Sequence, residues 1–73
     1  MPLSFLMPGE RGEIVEIRGG RGLVRRLYEM GFVPSAIVEI LVSNAAGPIL
    51  VSVNGMRMAI GRGVAMKIIV RRR

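Results

Sequence analysis

Four residues have types and spacing suited to recognition. Arg21, Arg25, Tyr28 and Glu29 recur at helical intervals, so a helix through them would set two guanidinium groups, a phenol and a carboxylate on one exposed face. Arg and Tyr are favoured anchors at protein interfaces, which makes this face the candidate partner-binding site. It also reads as an ordinary solvated helix face, with an Arg25 to Glu29 pair worth about 0.2–0.5 kcal/mol.

Most other chemistry lacks its reagents. The 73 residues contain no Cys and no His, and all five acidic residues are Glu. Disulfides, thiolate metal centres and Ser-His or Cys-His nucleophilic devices are therefore unavailable, and a transition-metal site has almost no ligands to draw on. The chain reads as a non-enzyme with no catalytic residues, no metal site and no cofactor. Gly9, Gly12, Gly19, Gly20 and Gly22 suggest a phosphate cradle, but no Gly-Lys-Ser/Thr follows them, and turns in a compact fold explain them better. Of the six methionines, Met30, Met58 and Met66 fall on expected core faces and Met7 and Met56 beside turns, the usual gap-filling role. The same methionines could suggest a soft-metal site, but that packing role explains them better.

The elements that must position the Arg21 to Glu29 face follow from the punctuation. Pro8-Gly9 separates a short Leu3 to Met7 segment from a strand around Glu13 to Arg18. In that strand Ile14, Val15 and Ile17 break strict alternation, as a bulge would. Between Gly22 and Met30 the period becomes helical, with Leu23, Leu27 and Met30 on one side and Arg25, Arg26 and Glu29 on the other. Gly31 stands where a left-handed cap belongs, and Pro34 follows. So short a helix must lay Leu23, Leu27 and Met30 on a sheet or plug the end of a barrel with them.

Period two then returns. Val38, Ile40 and Val42 define one strand face, Val51 and Val53 the next, and Met58 and Ile60 a third. Ser43 to Gly47 is a loop, Asn54-Gly55 a type I′ hairpin turn. Gly61 to Ala65 reads as a single 3₁₀ turn before a last strand through Met66, Ile68 and Val70. The fold class is mainly β: a small barrel of about five strands with one short helix after the first, residues 1–73 forming one domain. Closure into a barrel would remove the exposed edges that such Val- and Ile-rich strands can ill tolerate.

Composition sets the surroundings. A domain of this size hides only about 60% of its unfolded surface, yet 51% of its residues are hydrophobic. Some apolar surface must therefore meet another protein or a second copy of the chain. No run approaches the length of a membrane span, and the first ten residues lack signal-peptide features, so a cytoplasmic location without membrane insertion is expected. The net charge of +6 is concentrated in Arg71, Arg72 and Arg73, which read as a solvated tail able to steer the chain toward acidic surfaces.

Leu6, Gly9, Gly12, Ile14, Ile17, Gly19-Gly20, Arg26-Leu27, Glu29-Met30-Gly31-Phe32, Pro34, Pro48 and Ala65-x-x-Ile68-x-Val70 occur in an order that resembles the ferrous-iron transport protein A (FeoA) family from end to end. The most specific piece is Arg26 to Pro34, similar to the family's helix ending in Met-Gly and a hydrophobic residue before Pro-Gly. Here Ser35 replaces that glycine. A type II turn prefers glycine at this point, so either Ser35 adopts strained geometry or the turn has another type. The resemblance implies an SH3-like barrel, cytoplasmic and recruited to the inner face of the membrane, where it assists the membrane GTPase FeoB in ferrous iron uptake. The module is also similar to the C-terminal domain of some iron-dependent repressors, whose DNA- and metal-binding domains have no counterpart here.

The alternative is a small basic barrel that binds RNA, motivated by a pI near 11.6. Only Phe5, Tyr28 and Phe32 are aromatic, too few for a base-stacking platform. A protein-binding adaptor is the leading reading.

Overall fold

The computed structural model describes residues 1–73. After a 3₁₀ turn at Leu3–Phe5 come strand β1 (Arg11–Ile17), helix α1 (Arg21–Glu29), β2 (Ile37–Ser43), β3 (Ile49–Val53), β4 (Met56–Ile60), one-turn helix α2 (Arg62–Ala65) and β5 (Ile68–Arg72). The strands form one antiparallel sheet in the order β4-β3-β2-β1-β5. It curls around a core of Leu3, Leu6, Ile14, Leu27, Phe32, Val38, Ile40, Ile49, Val51, Val53, Ile60, Ala65, Ile68 and Val70, with no buried charged residue.

The broken alternation of β1 is a bulge: its register against β5 slips between Ile14 and Glu16, turning Val15 outward. A second bulge, not anticipated, lies in β2, whose register against β3 slips between Ile40 and Val42. Val42 therefore does not share the face of Val38 and Ile40, and stands 45% exposed. One residue of slip moves every later side chain to the other face.

The hairpin between β3 and β4 has Asn54 at φ +54° and Gly55 at φ +77°, as a type I′ turn requires. Gly61 to Ala65 forms a single α-turn rather than a 3₁₀ turn, and Met66 belongs to the end of that turn instead of the last strand. Met66 is 53% exposed.

The hydrogen-bonded ladder does not close, contrary to the expectation of a sheet without edges, because the chain from β4 to β5 turns through α2 and buries Ala65 instead of making a hairpin. The two edges differ. Along β5, the Met1 ammonium donates to the Val70 carbonyl at 3.0 Å, the Val70 amide donates to Met1 at 2.7 Å, and Pro2 bridges Ile69. No strand lies beyond β4.

Arg71 to Arg73 are not a free tail. Arg71 and Arg72 belong to β5, the Arg73 amide donates to the Arg11 carbonyl at 3.0 Å, and the side chains of Arg72 and Arg73 pair with Glu10 and Glu13 at 3.1 and 3.3 Å. Main-chain pairing with β1 extends the strand past its last apolar residue.

Candidate functional site

Helix α1 owes its position to both ends. Gly20 enters it in extended conformation without a side-chain cap. At the other end the Phe32 amide donates to the Leu27 carbonyl at 2.9 Å, and the Gly31 amide to the Tyr28 carbonyl at 3.0 Å. With Gly31 at φ +100°, this is a Schellman motif. The residue after the glycine, Phe32, is fully buried, as is Leu27 one helical turn back. The motif thus anchors the helix apolar side down and turns Arg21, Arg25, Tyr28 and Glu29 outward.

All four line one open groove of about 690 Å³, together with Gly19, Val24 and Val33. Tyr28 is 43% exposed, with its ring available at the groove wall. The ion pairs of the molecule are Arg18 with Glu16, Arg72 with Glu10 and Arg73 with Glu13. The expected Arg25 to Glu29 pair is therefore not made, and Arg21 and Arg25 present two unneutralised guanidinium groups at the groove. Their geometry can take a carboxylate in bidentate fashion while the apolar parts of the groove accept a side chain.

Val24 and Val33 were missed in the sequence. Val24 could have been found, lying three residues after Arg21 and four before Tyr28. Val33 could not, because it lies outside the helix and reaches the groove only through the Schellman reversal. Met30, expected on the packed side with Leu23 and Leu27, is instead 37% exposed; the helix is turned so that Leu27 alone is buried, with Leu23 packed half-buried against the core.

No group of three or more His, Cys, Asp or Glu side chains is placed to hold a metal ion. No helix is long and apolar enough to cross a membrane.

The model of the FeoA domain family matches residues 1–72. A curated protein of Methanocaldococcus jannaschii, named Fe(2+) transport protein A, is 39% identical over 69 residues, covering 94% of this chain and 83% of its own. Among solved structures, an iron uptake regulatory protein (FeoA) superposes with a TM-score of 0.95 at 42% identity, over 100% of this chain and 97% of that one. FeoA of Stenotrophomonas maltophilia, complexed with zinc and described as a prokaryotic SH3 domain protein, superposes with a TM-score of 0.85 at 26% identity, over 97% and 89% of the two chains. The five-stranded sheet with its short helix is the same SH3-like architecture.

Proposed function

The chain belongs to the FeoA domain family, and from that membership we propose that it is a non-catalytic accessory of ferrous iron uptake, docking on the membrane GTPase FeoB through the α1 groove. The observation that supports this reading is the convergence of Arg21, Arg25, Tyr28 and Glu29 on one groove, with both arginines free of carboxylate partners. A solvated helix face needs no such concavity, whereas a partner presenting an acidic residue beside an apolar one would fill it. Arg and Tyr at the centre of such a contact would carry most of its binding energy.

Docking of this kind places the domain at the inner face of the membrane without inserting it. The iron never needs to touch the domain; its contribution is to the transporter's nucleotide handling or gate.

Calorimetric titration of the full chain against a FeoB G domain tests the reading. Replacing Arg25 and Tyr28 together by alanine is expected to weaken binding by about 1–2 kcal/mol or more, while leaving the melting temperature close to that of the parent, since neither side chain is in the core. Unchanged binding by the double variant would remove the groove from consideration, and no binding by the parent chain would remove the partner.

A further inference from the structure

The opposite flank of α1 forms a second groove, of about 230 Å³, unrelated to the four residues above. Leu23, Arg26, Leu27 and Met30 line it from the helix, and Ile60 and Val64 from the end of β4 and from α2. At the far end of the helix Gly31 lies close to Asn54 of the β3–β4 turn, so that a Cβ on the glycine would stand 2.9 Å from the side-chain Nδ2 of Asn54. The groove thus lies between the helix and the last two residues of β4, Ala59 and Ile60, with Gly61 and Val64 closing its end.

Strand β4 has a ladder partner on one side only. Its register with β3 is continuous over five residue pairs, with no bulge and no proline. Bulges and proline are two of the devices by which exposed edges are blunted, leaving the exposed Arg57 as the one charge on this edge, while the other edge of the sheet is covered by Met1 and Pro2. An unpaired strand edge that runs into an apolar groove at its end is a geometry in which an extended peptide can add as a further strand. Its main chain would pair with β4 while alternate side chains drop between Leu23, Leu27 and Val64.

The charges narrow the occupant. Arg26 is the one charged residue lining the trough, Arg57 is exposed on β4, and neither makes an ion pair. No carboxylate lines the trough.

We infer that the free edge of β4 and the trough between its end and α1 bind an extended segment of a partner protein in which apolar residues alternate with acidic ones, added as a strand to β4. The site is separate from the Arg21 to Glu29 groove and does not depend on the docking assigned to it.

The test uses the full chain, isotopically labelled, and a capped seven-residue peptide alternating Glu and Leu. Amide shifts are expected at Met56 to Ile60 and along Leu23, Arg26 and Val64, leaving Arg21 and Arg25 unmoved. N-methylation of alternate peptide nitrogens, in the register that faces β4, should lower affinity at least about tenfold by removing the strand bonds. Arg26→Glu alters an exposed side chain, so the fold is retained; it should weaken the Glu peptide several-fold and favour a matched Lys peptide. Absence of shifts at millimolar peptide overturns the inference, as do shifts confined to the Arg21 groove. Affinity unaffected by N-methylation also overturns it, as does concentration-dependent self-association of the chain that occupies β4 and excludes the peptide.

Discussion

Ser35 holds φ at +74°, and the Ala36 amide donates to the Val33 carbonyl at 3.0 Å, so the Pro34-Ser35 pair makes a type II turn with serine where glycine fits best. A left-handed conformation costs a residue with a Cβ about 1–2 kcal/mol, of which glycine returns part through its greater freedom in the unfolded chain. Ser35→Gly is therefore expected to stabilise the domain by about 0.5–1 kcal/mol. Chemical denaturation is the direct measurement, and a lower midpoint would mean that the serine is relaxed. The departure at Ser35 was visible in the sequence, but its consequence was not: strained serine and a different turn type were both compatible with the letters, and only the backbone chooses. Val42 shows the same limit. Its alternation with Val38 and Ile40 was regular, and the Ile40-Leu41-Val42 run that breaks period two, as Val15 does in β1, was the one trace of the slipped register that turns it outward.

At the level of elements, helix α1 was legible because apolar period, glycine cap and proline all agreed on it. Its rotation was not, since Leu23, Leu27 and Met30 form a stripe that can be buried at its centre or along its length. Leu27 is the side chain that enters the core, and Leu27→Ala should cost about 2–5 kcal/mol, a large part of the stability of so small a domain. Thermal melting checks this; an unchanged midpoint would mean that the helix does not anchor the sheet. The last strand was placed two residues too early, starting at Met66 and stopping at Val70, because the arginines that follow carry no apolar alternation, although main-chain pairing needs none. A subtler tie joins α2 to the loop after β2: the Arg62 guanidinium donates to Ser43 Oγ at 3.2 Å and to the Asn44 carbonyl. Arg62→Met should release that loop at a cost of about 1 kcal/mol, read as faster amide exchange from Asn44 to Gly47 with slower exchange in β3 preserved.

For the molecule as a whole, charge and composition bear on what it meets. The exposed pairs of Arg72 with Glu10 and Arg73 with Glu13 contribute only about 0.2–1 kcal/mol each, but they occupy cations that an RNA phosphate would need. Because Arg71 and Arg72 lie in β5, the tail is better probed by Arg71→Gln than by deletion, which would shorten the sheet. RNA affinity is expected to be weak and little changed by that substitution; tight binding with a steep salt dependence would favour the nucleic-acid reading. Titration with Fe²⁺ should give no tight one-to-one isotherm, since no cluster of ligating side chains exists. The order in which the chain assembles follows from the ladder that joins Ile14 to Val70 and Ile17 to Ile68. Those residues stand near opposite ends of the sequence, so closing their loop carries an entropic cost before any contact repays it. The β2–β3–β4 meander, nucleated at Asn54-Gly55, has only short loops to close and should be formed at the rate-limiting barrier, with β5 docking afterwards. Gly55→Ala is then expected to slow refolding, whereas Ile68→Val should leave that rate nearly unchanged and hasten unfolding. Stopped-flow kinetics across a denaturant series would show these as displacements of opposite limbs of the chevron, so that speed of folding and longevity of the folded state are governed by different strands.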